Sequence, residues 1–449
     1  MRTKAVGSGR SGSFFNSLAV PDTGALYPIE CMRSEGTGIF MEEWFEIRKG
    51  GDFSAIGEKY GIDPLIARLI RNRGVDDEQG LRTYLYGTLE DLYDPMGLDG
   101  IEKAAQLIYT KIRDGKRIRV IGDYDIDGVC ATYILVHTLT LAGAIVDYRI
   151  PERIKDGYGI NMRLVEEAIS DKIDTIVTCD NGIAAVEQVR RGKEQGLTFI
   201  VTDHHEPFEV LPAADALVNP KKPGCTYENK NLCGAAVAWK LMYVYESCYL
   251  RRNGKRLPAE ECPITMSTLP FAGFATVGDV MPLTGENRIL VKYALRMLPE
   301  TQNIGMQALL SVCGLKGQEI SCYHIGFVLG PAINAGGRLE TAMIAEQMLL
   351  INDPAQAREK ALELSALNES RKNMTEDGKK TAMEQIDGGA MKNDRVLVVY
   401  LPGVHESVAG IIAGKLKERY HKPSIVLTDA YCEKDSGLSA SSGNSDDQA

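Results

Sequence analysis

Short runs of β-branched and other apolar residues alternate with amphipathic stretches between about residues 99 and 250. The runs cover residues 117–122, 144–150, 174–179 and 198–202. Alternation of this kind is typical of βαβ units, in which buried parallel strands are separated by helices. The pattern therefore predicts an α/β fold with a parallel sheet in this part of the chain.

A long helix is predicted over residues 351–388. Asn352 and Asp353 offer an N-cap, Pro354 suits the first helical position, and Gln356 has the spacing of a capping box. The run that follows, to about residue 387, is rich in Glu, Lys, Ala and Leu. Such a helix suits a link between two domains, of which the first would span residues 41–350.

Residues 389–449 predict a second, smaller α/β domain. A strand over 395–400, a helix over 407–419 and a strand over 424–427 are followed by a stretch dominated by Ser, Gly, Asn and Asp. A β-α-β unit with so few residues after it is a small core with an exposed edge strand. We therefore expect this domain to be incomplete.

The first 40 residues are rich in Gly and Ser and show no sustained period. We interpret residues 1–40 as a disordered extension or as spurious upstream translation that precedes Met41. Glu42, Glu43, Trp44 and Phe45 then predict the start of a helix.

Composition narrows the class of protein. Apolar residues make up 44% and charged residues 25% of the 449 residues, as in average soluble chains. The ten cysteines include no CxxC pair, and the sequence has neither a run of about 18 apolar residues nor a basic-then-apolar N-terminus. We therefore expect a cytoplasmic protein with reduced thiols and no membrane partner.

The net charge of −10 bears on the choice of partner. It argues against a non-specific nucleic-acid coat, which needs clustered Lys and Arg, but it leaves room for a local basic groove. An acidic excess also fits a site for divalent cations, because such sites gather carboxylates. The motifs decide between these two interpretations.

Three carboxylates stand at alternate positions directly after the first predicted strand, namely Asp123, Asp125 and Asp127. Alternate residues of an extended segment project to one side. Carboxylates gathered in this way repel one another unless cations lie among them, which favours a metal site over an acid/base pair. An Asp-rich turn is the alternative. An EF-hand is excluded, because its twelfth position needs Glu and is Ile134 here.

Further metal-ligand candidates follow the other predicted strands. They are Asp180, Asp203, His204 and His205. Because the carboxyl ends of the strands form the ligand-binding edge of an open α/β sheet, these side chains should meet Asp123 there. Imidazoles beside carboxylates suit a transition metal such as manganese. The alternatives are a histidine pair in a surface loop and, for Asp180 and the lone Asp279, helix caps.

In their order and spacing these motifs resemble the DHH phosphoesterases, with the RecJ-type exonucleases as the nearest members. The resemblance runs from about residue 44 to residue 427. It is also carried by residues 156–159 (Asp-Gly-Tyr-Gly), 232–235 (Leu-Cys-Gly-Ala), 274–288, and 330–339, which read GPAINAGGRL.

The resemblance implies a role for each site residue. Two manganese ions, with Mg²⁺ as the alternative, would be held by Asp125, Asp127, Asp180, His204 and Asp279, and Asp180 would bridge them. Support for catalysis would come from Asp123, His205 and Asp203, the last of which would orient a histidine. The substrate would be bound by Tyr158, Asn334, Arg338 and His405, with Asn334 and Arg338 on the scissile phosphate.

The implied activity is two-metal hydrolysis of single-stranded DNA by a 5'-to-3' exonuclease of repair and recombination. Its partners would be single-stranded DNA and other DNA-repair proteins. Two alternatives stay open. One is a phosphoesterase of short oligonucleotides or cyclic dinucleotides, although such proteins typically lack the segment at 330–339. The other is a non-catalytic DHH scaffold that binds nucleic acid, which predicts lost ligands, and none is lost here.

The sequence departs from the RecJ-type pattern near its end. Those proteins continue with a Gly-Ser-Gly-Arg-Ser loop for the terminal phosphate and an OB-fold for single strands. Here residues 434–439 (Lys-Asp-Ser-Gly-Leu-Ser) take that place, with Leu438 at the arginine position, and no OB-fold follows. The same string at residues 7–11 is interpreted as chance. We expect intact chemistry and weaker binding of long strands.

Overall fold

The computed structural model describes residues 25–28, 45–153, 155–251 and 256–429. The chain divides into two units, Met1–Tyr86 and Gly87–Ala449. The sequence features noted at residues 7–11 and 434–439 lie outside the described residues, and the domain boundaries at residues 40, 350 and 388 stay predictions.

The described residues of the first unit form two short strands and three helices: β1 (Ala25–Pro28), β2 (Phe45–Arg48), α1 (Phe53–Tyr60), α2 (Pro64–Asn72) and α3 (Glu78–Tyr86). The helix expected after Met41 is wrong from Phe45 onward, because this segment pairs antiparallel with β1. β1 itself falls within the segment predicted to be disordered, and the pairing of the two strands is not visible in local sequence patterns. The first helix begins only after Asp52, whose side chain accepts a hydrogen bond from Ala55 N (2.9 Å).

The second unit begins with the elements of a βαβ sheet. They are α4 (Ile101–Arg113), β3 (Arg117–Ile121), α5 (Ile126–Leu141), β4 (Ile145–Arg149), α6 (Met162–Ser170), β5 (Thr175–Cys179), α7 (Val186–Glu194), β6 (Thr198–Thr202), β7 (Ala216–Val218) and α8 (Gly234–Val244). The five strands are all parallel, in the order β4-β3-β5-β6-β7. The predicted α/β fold with a parallel sheet is confirmed. β7 was not predicted, since three residues are too few to show a period.

Apolar side chains alternate between the two faces of this sheet. Val177 and Ile200 pack with α4, α5 and α8 in the main core, whereas Ile176 and Phe199 pack with α6 and α7 on the opposite face. The strands are therefore covered on both faces, as parallel strands usually are.

Helix α5 is apolar around its whole circumference, and 13 of its 16 residues are buried. A helix of this kind lies in the protein interior, so its N-terminus is held rigidly against the sheet edge. In the part of the chain that the structure describes, no helix combines the length and the apolarity that a bilayer span requires.

Six further helices extend the main core, namely α9 (Pro263–Gly278), α10 (Gly285–Met297), α11 (Ile304–Val312), α12 (Cys322–His324), α13 (Gly330–Leu339) and α14 (Met343–Leu350). A π-helical turn, Ile325–Leu329, joins α12 to α13. Turns of this type occur often at functional sites.

The predicted linking helix is α15 (Pro354–Asp387), and the Asp353 side chain caps it by accepting from Gln356 N (2.8 Å). β8 (Leu397–Tyr400), α16 (Glu406–Tyr420) and β9 (Ser424–Leu427) follow, and the two strands are parallel. Leu364 of α15 belongs to the main core, whereas Ile386 belongs to the small core of β8, α16 and β9. α15 therefore joins two cores.

Candidate metal centre

The ends of three adjacent strands bring the acidic motifs to one edge of the sheet. β3, β5 and β6 are neighbours in parallel register, so their carboxyl ends lie side by side. Asp123, Asp180 and Asp203 each follow one of these strands within two residues. All three are buried.

The first acidic motif turns from the strand into a helix. Asp125 is the N-cap of α5, and its side chain accepts from Asp127 N and Gly128 N (2.9 and 3.1 Å). Asp127 lies in the first turn of α5. The expectation of an extended segment is therefore wrong from Ile126 onward, because capping of α5 satisfies backbone amides that an extended segment would leave unpaired.

The N-terminus of α8 holds the Asp127 carboxylate. Gly234 N and Ala235 N donate to its two oxygens at 2.6 and 2.8 Å. Two amides at a helix N-terminus form a binding site for a carboxylate, so the Asp127 side chain is fixed in position. Sequence reasoning noted residues 232–235 as a family motif but missed this function, because the partner is more than 100 residues away.

Asp180 occupies the centre of the site. It has φ +61°, a left-handed conformation that a non-glycine residue rarely adopts. The Tyr158 hydroxyl donates to its carbonyl oxygen (2.7 Å), and His204 Nε2 lies 3.1 Å from its Oδ1. Strain at a buried, centrally placed carboxylate is typical of functional sites.

Three groups of side chains share members. Within each group the ligand atoms lie within 4.8 Å of one another, so each group could hold a metal ion. Asp180 belongs to two of them, and so does His204. The groups are Asp123–Asp125–Asp180, Asp180–His204–His205 and Asp127–His204–Asp279. The structure thus brings together all five predicted ligands with Asp123 and His205.

The electrostatics of these groups fit divalent cations. Burial and the neighbouring Asp125 raise the pKa of Asp123 to about 8, and burial and Asp127 raise the pKa of Asp279 to about 7. Burial and the surrounding carboxylates raise the pKa of Asp180 well above its usual range. Positive charge among these carboxylates would let them ionise together near neutral pH.

Unpartnered polar atoms point to the same conclusion. Asp123 Oδ1, Asp180 Oδ1, Asp279 Oδ2 and His204 Nδ1 are buried without a hydrogen-bond partner among the described residues. Such atoms are rare in proteins unless an ion or water satisfies them. Carboxylate oxygens together with imidazole nitrogens form a donor set suited to manganese.

Asp203 contacts a histidine, as expected. Its Oδ1 lies 2.8 Å from His205 Nδ1 and accepts from His204 N, while Oδ2 accepts from Ile183 N (2.8 Å). Although burial opposes ionisation, the hydrogen bond with His205 holds the pKa of Asp203 below its usual value. Asp203 can therefore orient the His205 ring from behind.

The four predicted substrate-binding residues fall into two places. Tyr158 lies at the metal centre, with its hydroxyl 3.1 Å from His205 Nδ1. Asn334 contacts residues 123–127, called the metal-binding loop below, where its Oδ1 accepts from Ile126 N (2.7 Å). Arg338 and His405 meet at the start of α16, where Arg338 Nη1 donates to Ser407 O (3.1 Å) and the His405 side chain caps the helix.

Sequence reasoning missed two cations near Arg338, namely Arg153 and Arg371. Burial, followed by repulsion from Arg153 and Arg371, lowers the pKa of Arg338. The Arg153 guanidinium lies 5.1 Å from the centre of the Tyr124 ring. A local excess of positive charge therefore borders the carboxylates in an otherwise acidic chain.

Comparisons with known proteins agree with this geometry. The DHH family, N-terminal domain, matches residues 117–269. The single-stranded-DNA-specific exonuclease RecJ of Bacillus subtilis is 36% identical over 83% of this chain and 45% of its own length. The Escherichia coli RecJ is 36% identical over 82% of this chain and 64% of its own length. The chain thus spans only about half to two thirds of these relatives.

A solved structure of exonuclease RecJ bound to manganese superposes with a TM-score of 0.66 at 32% identity. The match covers 75% of this chain and 82% of that one. The fold, the ordered motifs and the sequence identity all lead to one assignment, and the chain therefore belongs to the DHH family, with the RecJ exonucleases among its relatives.

Proposed function

We propose that this chain is a metal-dependent nuclease that releases nucleotides from the 5' end of single-stranded DNA. The observation that carries the proposal is the convergence of buried, unpartnered carboxylate and imidazole atoms in three overlapping groups. Its RecJ relatives are specific for single-stranded DNA, and one of them binds manganese. We propose two Mn²⁺ ions, with Mg²⁺ as the alternative.

The proposed ligands are Asp125, Asp127, Asp180, His204 and Asp279. Divalent cations in such a site supply a hydrolytic water and neutralise charge on the leaving oxygen of a phosphodiester. Asp180 is proposed as the shared ligand, because it belongs to two of the three groups and because a carboxylate, unlike the imidazole of His204, has two oxygens to offer to two ions. Asp123 adds a carboxylate to the lining of the site, and His205 adds an imidazole. Asp203 sets the orientation of His205.

Arg338 is proposed to bind the scissile phosphate. Its guanidinium is half-buried and is paired with a backbone carbonyl rather than a carboxylate, so donors stay available for phosphate oxygens. Asn334 is proposed to contact the same phosphate and also the backbone of the candidate metal site. Its oxygen is engaged by Ile126 N, so we propose that it positions the metal-binding loop, and only its amide nitrogen is available for a phosphate.

Nucleotide release from labelled single strands tests the proposal. Mn²⁺-dependent release of mononucleotides from 5'-labelled strands is expected, with later release of the label from 3'-labelled strands if digestion starts at the 5' end. Asp180→Ala should reduce the rate by at least about 100-fold, since it removes the shared ligand. Asp114→Ala, on the surface at the end of α4, is the matched control and should be as active as the wild type.

Each alternative gives a different result. Cleavage of dinucleotides or cyclic dinucleotides without release from longer strands would favour the small-substrate phosphoesterase. Binding of single strands with no cleavage under Mn²⁺ or Mg²⁺ would favour the non-catalytic scaffold. Either result would reject the exonuclease.

A further inference from the structure

Three exposed side chains, called the patch below, lie on two neighbouring segments, namely the end of α9 with the residues just after it, and α12 with the π-helical turn, and the proposed catalysis does not use them. The Tyr323 and Phe327 rings are 63% and 71% exposed and are stacked, with centroids 5.2 Å apart and planes 25° from parallel. Val280 is 85% exposed, more than any other large apolar side chain of the described residues. Exposure of this extent has no role in folding.

Both parts of the patch adjoin the metal-binding loop. A methyl group at Gly278 would lie 2.5 Å from Ile126 Cδ1, and one at Gly330 would lie 3.2 Å from the same atom. Ile126 stands between Asp125 and Asp127. Val280 follows Gly278 by two residues, and Phe327 precedes Gly330 by one helical turn, about 5 Å. The patch therefore borders the proposed metal centre.

The backbone at Val280 supports a role in binding. Val280 has φ +57°, a conformation that disfavours β-branched residues and suits Gly or Asn. It directly follows Asp279, whose carboxylate belongs to one of the metal-binding groups. An apolar, branched side chain is thus held in solvent at a strained position beside the site, where burial gives it no compensating stability.

The flat aromatic pair fits nucleobases. Exposed aromatic faces stack with bases of any sequence, which is how single strands are bound without sequence preference. Burial raises the pKa of the Cys322 thiol, next to Tyr323, and the positive charge of Arg288 opposes this rise.

We propose that Val280, Tyr323 and Phe327 form a base platform, which stacks with the bases of a single strand whose phosphodiester lies at the metal centre. The inference rests on the proposed function for its ligand. The platform would bind the bases of the strand, whereas the metal centre would bind only its phosphodiester.

Binding of a fluorescent oligothymidylate of about 12 nucleotides tests the platform, with hydrolysis blocked by phosphorothioate linkages. Phe327→Ala should weaken Kd by about 10-fold, while Phe327→Trp should bind like the wild type, because stacking needs a ring. Abasic nucleotides at the contacting positions should weaken wild-type binding by a similar factor, with no further loss in Phe327→Ala. Fluorescence anisotropy measures each Kd.

Two further variants separate binding from folding. Val280→Gly relieves the left-handed backbone, so it should fold at least as well as the wild type and still bind the strand more weakly. Leu141→Ala removes another exposed apolar side chain (57%), at the far end of α5, and should bind normally. Thermal unfolding by circular dichroism confirms that each variant is folded.

The platform is rejected if Phe327→Ala binds like the wild type, or if it loses the same factor on normal and abasic strands. Nucleotide release is measured separately on unmodified strands with the wild type. Absence of release together with the expected binding results would reject the proposed nuclease activity and leave the platform intact.

Discussion

At the scale of single residues, the metal centre concentrates more negative charge than a protein interior tolerates. Asp123, Asp125, Asp180 and Asp279 all have raised pKa values, because each is buried and each has a carboxylate neighbour. Ionisation of these groups and binding of cations are therefore linked.

Asp180→Asn should weaken metal binding and raise the free energy of unfolding of the metal-free protein. In the presence of a chelator at pH 8, the variant should be about 1 kcal/mol more stable to unfolding than the wild type, because it loses a buried acid and because Asn tolerates the left-handed backbone. Adding Mn²⁺ should raise the Tm of the wild type and leave that of the variant unchanged. Urea and thermal unfolding measure both effects, and an Mn²⁺-dependent shift in the variant would contradict the ligand assignment.

Glu346 is another buried acid, and it is not one of the candidate metal ligands. It is fully buried in α14, and neither carboxylate oxygen has a hydrogen-bond partner among the described residues. Burial raises its pKa well above the usual value. The group therefore stays protonated in the folded protein at pH values where the unfolded chain has ionised.

Glu346→Leu should stabilise the protein, most clearly at neutral pH. Because the pKa of Glu346 is higher in the folded protein than in the unfolded chain, its ionisation favours unfolding. The free energy of unfolding is therefore unaffected below about pH 4, the unfolded-state pKa, and falls as the pH rises toward the folded-state pKa. The variant lacks this loss and should be about 1–3 kcal/mol more stable at pH 7, with a smaller gain at pH 4.5. Urea unfolding across pH measures the difference. Glu359→Leu, on the exposed face of α15, is the control, and an equal pH dependence in both variants would count against this explanation.

At the scale of elements, the approach of α8 to the strand ends shapes the centre. Gly234 N donates to Asp127, and the same glycine lies directly against Asp180. A Cβ at this position would lie 2.6 Å from Asp180 Cβ and 2.7 Å from Asp180 Oδ1. Only glycine lets the helix N-terminus approach both carboxylates.

Gly234→Ala should weaken Mn²⁺ binding by about 10-fold or more, because α8 or Asp180 must move. Gly414→Ala in α16 adds a methyl group to open space and is the matched control. It should leave Mn²⁺ affinity unchanged and stabilise its helix by about 1 kcal/mol. Isothermal titration calorimetry gives the affinities, and a normal value for Gly234→Ala would show that the contact is not required.

At the scale of the whole molecule, the candidate site belongs to one unit. Every predicted site residue, and every hydrogen-bond partner named for it, lies within Gly87–Ala449. The main core also begins within this unit, at Leu89.

A chain that starts at Gly87 should therefore fold and bind Mn²⁺ with the affinity of the full chain. Circular dichroism and calorimetry on the two proteins test this expectation. A large loss of affinity in the shortened chain would mean that residues before Gly87 contribute to the site.

Much of the fold could be predicted from the sequence by itself. Parallel strands buried on both faces consist of short apolar runs, so the four strands predicted between residues 117 and 202 form within a residue or two of their expected bounds. α15 begins at Pro354 as expected, because an Asp cap and a first-turn proline are local signals. The metal-ligand candidates that follow a strand were recognised for the same reason, whereas Asp279, at the end of α9, was not marked by such a pattern.

Only the tertiary structure decided how distant residues complete the site. The Gly234 amide reaches Asp127 across 107 positions, and Asn334 reaches Ile126 across 208. Gly278 and Gly330 bring Val280 and Phe327 to the metal-binding loop in the same way. Local sequence patterns show the hydrophobic period and the caps of single helices and strands. Contacts between distant residues depend instead on how complete elements pack, and no short stretch of sequence encodes that packing.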